Sequence, residues 1–145
     1  MKTKIFHQET LEKAATLLKK GEVVAFPTET VYGLGAIATS QEAVLKVFEA
    51  KGRPSDNPLI VHIHSVDQVI NTVEEFPESA KLLAKQFWPG PLTMILKAKP
   101  GIYAPALSAG LQTVSFRMPN HELTLSLIEQ VGIPLVGPSA NQSTK

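Results

Sequence analysis

The sequence predicts a single α/β domain spanning residues 1–145, with a twisted mixed β-sheet flanked by helices. Amphipathic helical segments alternate with short runs of β-branched and aromatic residues along the whole chain. No repeat, low-complexity tract or linker interrupts that alternation. The 145 residues suit one domain, and the hydrophobic content of 43% is ordinary for a globular protein.

Four helices and five strands follow from the pattern. In chain order we expect a helix at 9–20, a strand at 22–26, a helix at 40–52, a strand at 59–63, a helix at 77–87, strands at 92–98 and 113–117, a helix at 120–131 and a strand at 133–137. Gly21 and Gly132 can end the helices that precede them. Ser40 and Asn120 can cap the helices that follow them, and Pro77 can open one. The segment 100–110 is predicted to be a loop.

Composition excludes several classes of protein and leaves others open. The chain has no cysteine, so disulfides and thiolate chemistry are excluded and a cytoplasmic location is expected. No apolar run approaches the ~20 residues of a membrane span, and the N-terminal MKTKIFHQET lacks the apolar core of a signal peptide. The net charge of +1 gives no global attraction to nucleic acid, so any anion site must be a local cluster.

Polar residues gather where the predicted strands end. They are PTETVYGLG after the first strand, KGRPSDNP before the second, Arg117 at the end of TVSFR, and SAN after IPLVG. Ligands usually bind at strand ends of α/β sheets, so we expect a binding site there. Gly33 and Gly35 are interpreted as a tight turn, because the sequence has neither a P-loop nor a GxGxxG motif.

Two histidines, His62 and His64, share one face of a predicted strand. That spacing can bind a metal, but no third ligand stands nearby, so no metal site is predicted. One of the two is expected to line a pocket, whereas His7 and His121 are expected at the surface. Trp88, beside Pro-Gly-Pro, is expected to anchor the core.

Five motifs in order resemble the YrdC-type threonylcarbamoyl-adenylate synthases. They are FPTETVYGLG (26–35), KGRPSDNPLIVH (51–62), WPGPLT (88–93), TVSFRMP (113–119) and GPSAN (137–141). The resemblance covers almost the whole chain and implies a YrdC-like domain. It also implies an enzyme, a nucleotidyltransferase that makes threonylcarbamoyl-AMP and pyrophosphate from L-threonine, bicarbonate and ATP. A threonylcarbamoyl-transferase complex would then modify an adenosine of tRNA.

The resemblance also implies roles for particular residues. Lys51 and Arg53 match the KxR of the family signature, and Ser139 and Asn141 match its SxN. The residues implied in ATP binding are Lys51, Arg53, Asn57, Thr113, Ser139 and Asn141, and the first two are the implied catalytic pair. The residues implied in threonine binding are Thr30, Tyr32, His62, Arg117 and Ser139.

Elementary chemistry agrees with these implied roles. The reaction brings three anions into one cavity: bicarbonate, the carboxylate of threonine and the triphosphate of ATP. Fixed cations would reduce their mutual repulsion, with Lys51 acting as a point charge and Arg53 as a bidentate donor. Mg²⁺ would arrive with ATP rather than in a protein cage. No residue stands out as a general base; His62 is conceivable by its ordinary pKa, but threonine binding is the preferred role.

One departure from the family concerns the chain end. Family members usually continue for several tens of residues beyond SAN, whereas this sequence stops at Lys145. We therefore expect either a fragment or a C-terminally shortened protein, and a domain that binds its ligands poorly.

Two other functions stay open. The first is a YrdC-like module that binds double-stranded RNA or tRNA in translation or ribosome assembly, although the basic residues are spread out and no aromatic platform is evident. The second is a carbamoyl-transfer domain of the hydrogenase-maturation type, which normally lies in a much larger chain.

Overall fold

The computed structural model describes residues 8–27, 32–51, 59–108 and 111–137. Its helices are α1 (Gln8–Lys19), α2 (Gln41–Lys51), α3 (Asp67–Ile70), α4 (Glu78–Phe87) and α5 (Glu122–Val131), with a 3₁₀ helix at Pro105–Ser108. Its strands are β1 (Val24–Pro27), β2 (Tyr32–Ile37), β3 (Ile60–His62), β4 (Met94–Lys97), β5 (Thr113–Arg117) and β6 (Leu135–Gly137).

The strands form one mixed sheet in the order β1-β2-β6-β3-β5-β4. Only β3 and β5 pair in parallel within the described sheet, and the other four pairings are antiparallel. The predicted fold class, an α/β domain with a mixed sheet, is therefore confirmed. The parallel pair lies beside the centre of the sheet, where strands distant in sequence become neighbours.

The register divides the strand residues between two faces of the sheet. Because side chains alternate along a strand, residues paired across strands share a face. One face, here called the apolar face, carries Ala36, Val61, Val114, Phe116 and Val136. The other, here called the polar face, carries Phe26, His62, Thr113, Ser115 and Arg117.

Helices and the 3₁₀ segment complete a single buried core around this sheet. α1 packs against α5 and contacts β1 and β2, while α2 contacts β2 and the 3₁₀ helix. The 3₁₀ helix in turn contacts β5, and Tyr103 just before it makes an edge contact with Phe116 at 5.8 Å. The loop predicted at 100–110 thus contains one turn of helix that closes the core.

Two predicted helix caps can be compared with the structure. Ser40 caps α2 as predicted, because its Oγ accepts from the backbone N of Ala43 at 3.1 Å. For α5 the prediction is one residue off: the cap is His121, whose Nδ1 accepts from the backbone N of Thr124. An imidazole nitrogen can replace the usual capping oxygen here, since His121 has extended backbone angles. Gly132 ends α5 at φ 82° as predicted.

The tight turn predicted at Gly33 and Gly35 is wrong, because both glycines lie in β2 and pair with β1. Gly35 is required there for a steric reason: a Cβ would overlap Cε2 of Phe26, whose ring lies over it. The aromatic ring occupies the space that a side chain in β2 would fill. Strand β2 could not be recognised from periodicity alone, because glycine weakens a strand pattern.

Candidate functional site

His62 and Arg117 are brought together by the parallel pairing of β3 and β5. The two residues are in register, and Ile63 N donates to the carbonyl of Arg117 at 3.0 Å to hold that register. Neighbouring strands lie about 4.8 Å apart, so the two side chains stand next to each other on the polar face. Both are buried, His62 with 3% and Arg117 with 7% of its surface exposed.

The guanidinium of Arg117 is fixed by the backbone of a neighbouring loop. Its Nε donates to the carbonyl of Gly90 at 3.1 Å, in a buried position. Gly90 follows α4 in the WPGP segment, which reaches the end of β5. A buried cation held in this way presents a directed set of donors, which suits binding of a carboxylate or phosphate.

The imidazole of His62 is kept neutral. Burial, and secondarily the positive charge of Arg117, lower its pKa from 6.5 to about 3. A ring with so low a pKa is a poor general base near neutral pH, so the pKa argument for such a role in His62 fails. A neutral imidazole instead offers one donor and one acceptor nitrogen to its surroundings.

One ring nitrogen of His62 makes no hydrogen bond to the described residues. Its Nδ1 is buried and, within the described residues, has no hydrogen-bond partner. Buried polar atoms of native proteins are nearly always hydrogen-bonded to protein, water or a ligand. A buried acceptor or donor beside an arginine is therefore the geometry of a small polar ligand site.

The floor of this site is made by one aromatic ring and two glycines. Phe26 meets the imidazole of His62 edge-on, with ring centroids 5.6 Å apart and planes at 79°. A Cβ on Gly137 would lie 3.1 Å from Nε2 of His62 and 3.5 Å from Phe26. The absence of side chains on Gly35 and Gly137 thus makes room for the Phe26–His62 pair. Sequence reasoning missed this role, and the signal was a pair of glycines facing the same side of adjacent strands.

Thr113 lies at the opposite end of β5 from Arg117 and on the same face. They are four residue steps apart along the strand, which corresponds to about 13 Å. Thr113 is exposed, and a small cleft of about 130 Å³ beside it is also lined by Leu59, Ile95 and Ser115. The polar face thus has two ends, one with the buried His62–Arg117 pair and one with the exposed Thr113.

The other predicted site residues are described in part or lie outside the described residues. Lys51 is the last residue of α2 and Tyr32 the first of β2, and their side chains are outside the described part. Thr30, Arg53, Asn57, Ser139 and Asn141 lie outside the described residues altogether. Pro27, Ile60 and Gly137 are the described strand ends that adjoin them in sequence. These strand ends lie at the same end of the sheet as Thr113.

The described residues give no indication of a resident metal or of a membrane span. No group of three or more His, Asp or Glu side chains among them could hold a metal ion. His64 lies beyond the end of β3, and its backbone N donates to Gln68 Oε1 at 2.8 Å. None of the described helices is long and apolar enough to cross a bilayer.

Comparison with known families gives a direct match. The Sua5/YciO/YrdC family model, described as "Telomere recombination", matches residues 16–145. The chain belongs to this family. The resemblance of the five sequence motifs to YrdC-type synthases is confirmed.

Three curated relatives are threonylcarbamoyl-AMP synthases. A threonylcarbamoyl-AMP synthase of Bacillus subtilis is 57% identical over 135 residues, which cover 93% of this chain and 39% of that protein. One of Pyrococcus abyssi is 54% identical, covering 91% of this chain and 38% of that protein. One of Hahella chejuensis is 32% identical, covering 93% of this chain and 73% of that protein. The chain therefore spans about two-fifths of the first two relatives.

Solved structures agree on the fold. Pyrococcus abyssi Sua5 complexed with L-threonine superposes with a TM-score of 0.90 at 49% identity, over 98% of this chain and 42% of that chain. Escherichia coli YciO superposes with a TM-score of 0.81 at 22% identity, over 96% of this chain and 67% of that chain. The second likeness concerns the fold alone.

Proposed function

We propose that the protein is an L-threonylcarbamoyl-AMP synthase, an enzyme of the nucleotidyltransferase class. The observation that carries the proposal is the buried Nδ1 of His62, which lacks a partner among the described residues and lies beside Arg117. The names of the curated relatives, and the complex of Pyrococcus abyssi Sua5 with L-threonine, support it. L-threonine would then be the ligand at the buried end of the polar face.

The carboxylate of threonine would pair with Arg117. A guanidinium offers two parallel donors to two carboxylate oxygens, and the Gly90 carbonyl already holds its Nε. The neutral ring of His62 would hydrogen-bond a further polar atom of threonine through Nδ1 without adding charge. By the family resemblance, Thr30, Tyr32 and Ser139 would also contact threonine. The strand ends that adjoin them lie on the Thr113 side, so the ligand would extend from Arg117 towards the middle of the polar face.

ATP would occupy the Thr113 end of the polar face. Lys51 and Arg53 would neutralise its phosphates and act as the catalytic pair, while Asn57, Thr113, Ser139 and Asn141 would contact the nucleotide. The separation of about 13 Å between Thr113 and Arg117 leaves room for both substrates on one face of the sheet. Their reacting groups would meet between the two ends.

The chemistry would proceed in two steps. The amine of threonine attacks the carbon of bicarbonate, and loss of water leaves a carbamate. A carbamate oxygen then attacks the α-phosphorus of ATP as the bond to the β-phosphate oxygen breaks and pyrophosphate leaves. Positioning and fixed charge supply most of the acceleration in such transfers, which is what a buried arginine and a neutral histidine provide.

Mg²⁺ and the further partners are also proposals. The described side chains contain no cluster that would form a protein cage for Mg²⁺. Mg²⁺ would accompany ATP, whose phosphates are its usual ligands. The product would pass to a threonylcarbamoyl-transferase complex that modifies tRNA, in the cytoplasm.

The decisive experiment is pyrophosphate release from ATP, measured with the protein in the full length that its gene encodes. We expect release to require both L-threonine and bicarbonate. Release that continues when threonine is omitted or replaced by alanine would contradict the assignment. RNA binding of nanomolar affinity without ATP turnover, weakening steeply with salt, would favour the RNA-binding alternative instead.

A further inference from the structure

The segment Trp88–Leu92 contacts the site through its backbone rather than its side chains. Its middle residue, Gly90, accepts the Nε hydrogen of Arg117 at 3.1 Å. The backbone N of Gly90 also donates to the carbonyl of Met118 at 2.9 Å. Gly90 is thus tied by both its backbone groups to two consecutive residues at the end of β5.

Hydrogen bonds of Trp88 hold the conformation of the same segment. The indole Nε1 of Trp88 donates to the carbonyl of Leu92 at 2.8 Å, which closes the loop on itself. The backbone N of Trp88 donates to Ala84 at 3.0 Å, which ties the loop to the end of α4. Because Trp88 is buried, the loop cannot drift without moving the core.

Position 90 accepts no side chain without a shift of the loop. A Cβ on Gly90 would overlap the carbonyl oxygen of Phe87, a backbone atom at the end of α4. Backbone cannot rotate away as a flexible side chain can. The Gly90 carbonyl therefore occupies its place only while the residue is glycine.

We propose that Gly90 is a positioning residue for Arg117. Its carbonyl sets the rotation of the guanidinium about the Cδ–Nε bond. The remaining N–H donors are thereby directed towards the carboxylate of the ligand. The inference rests on the proposed function, in which Arg117 binds the carboxylate of L-threonine. Gly90 itself would touch no substrate.

The test measures L-threonine and ATP affinities separately by titration calorimetry, using the protein in the full length that its gene encodes. Gly90→Ala should weaken threonine binding by about 10-fold or more, because misplacement of a binding group by about 1 Å is costly. ATP affinity without threonine should stay within about 2-fold. Trp88→Phe, which keeps a smaller aromatic ring in the core and removes the Nε1 donor, should act in the same direction by a smaller factor.

The matched control is Gly101→Ala. Gly101 has φ +83°, so alanine strains it, but nothing lies within 4 Å of the added Cβ. The control therefore loses stability without disturbing Arg117, and its threonine affinity should match that of the unaltered protein. Both variants should have a lower melting temperature. A general loss of stability would not by itself weaken threonine binding while leaving ATP binding unchanged.

A double-mutant cycle with Arg117→Lys separates a positioning role from a structural one. If Gly90 acts through Arg117, Gly90→Ala should have little further effect on threonine affinity once the fork is absent. Full additivity, unchanged threonine affinity in folded Gly90→Ala, or equal loss of ATP and threonine affinity would each overturn the proposal. If Arg117→Lys alone leaves threonine affinity unchanged, it is the proposed role of Arg117 that fails, and the two failures are thereby distinguished.

Should Gly90→Ala fail to fold, Trp88→Phe carries the same cycle. Its effect on threonine affinity should likewise disappear in the Arg117→Lys background. An effect of Trp88→Phe that persists there would overturn the proposal.

Discussion

On β5, Val114 and Phe116 point to the apolar face of the sheet, whereas Thr113, Ser115 and Arg117 point to the polar face. Strand β3 divides in the same way, with Val61 on one side and His62 on the other. The apolar face is closed at its centre, where Val61 and Phe116 are fully buried. The polar face is buried at its Arg117 end and open at its Thr113 end.

The difference shows how one short strand serves stability and ligand binding at once. Alternation of side chains separates the two tasks by a single residue, so neighbours in sequence should respond differently to substitution. Changes on the apolar face should act on the free energy of unfolding. Changes on the polar face should act on ligand affinity or on the response to pH.

The largest effect is expected on the apolar face. Phe116→Ala removes a fully buried ring that makes an edge contact with Tyr103. It should lower the free energy of unfolding by about 3–5 kcal/mol, the usual cost of deleting a buried aromatic side chain. Urea or thermal unfolding measures this loss directly.

Ile95 on the neighbouring strand β4 provides the matched control for Phe116. It lies on the polar face and is 66% exposed. Ile95→Ala should cost less than about 1 kcal/mol, as surface substitutions usually do. Equal costs for the two substitutions would mean that the faces do not differ in packing.

The second prediction concerns pH and the buried His62. Its pKa is lowered to about 3 in the folded protein, whereas the imidazole of the unfolded chain titrates near 6.5. Between those values the unfolded state binds the extra proton, so stability is full above pH 6.5 and falls as the pH is lowered towards 3. The expected loss is about 1.4 kcal/mol for each pH unit in that window.

Carboxylates contribute to acid unfolding as well, so the measurement is a difference. The free energy of unfolding should be followed from pH 7 to pH 4.5 in the unaltered protein and in His62→Gln. The slope should be shallower in the variant by about 1 kcal/mol per pH unit or more. Identical slopes would show that His62 is not held neutral by burial.

The third prediction concerns the other member of the buried pair. Arg117→Lys keeps the charge and loses the planar fork. It should weaken L-threonine binding by about 1.5–3 kcal/mol, the usual worth of hydrogen bonds to charged groups, or roughly 10- to 100-fold. ATP binding measured without threonine should barely change.

Calorimetric titration of each substrate provides the measurement. A variant that loses ATP and threonine affinity equally would place Arg117 in the nucleotide site. The proposed division of the polar face into two ends would then be wrong.

Periodicity and breakers were enough to predict most of the fold. The run TVSFR was predicted as a strand with the observed bounds, because its polar and apolar residues alternate. The strand at 92–98 was predicted two residues too early, since the Leu92 carbonyl is engaged by Trp88. Strand β2 was missed because Gly35 leaves space for the ring of Phe26, and this tertiary contact is not visible in the sequence.

The site was accessible to sequence reasoning only in part. The alternating histidines indicated a pocket-lining residue, and the family resemblance singled out His62 and Arg117. Their adjacency depends on parallel pairing of strands more than fifty residues apart in sequence, which no local pattern reports. The role of the Gly90 carbonyl could not be predicted at all. Every residue has a backbone carbonyl, so the residue type does not indicate which one accepts a hydrogen bond from Arg117.

The smallest effect is expected at the open end of the polar face. Thr113 is exposed, and its proposed role is a single contact to ATP. Thr113→Val keeps the β-branched shape that suits a strand and removes the hydroxyl, so stability should change by no more than about 0.5 kcal/mol. The loss of one hydrogen bond should weaken ATP binding by about 0.5–1.5 kcal/mol, or roughly 2- to 10-fold. Thr16→Val is the matched control, because Thr16 is exposed on α1 and donates only to Glu12 of its own helix at 2.9 Å within the described contacts. ATP titration of both variants decides the question: a fall in affinity that is specific to Thr113 supports a nucleotide at this end, and equal affinities would remove Thr113 from the ATP site.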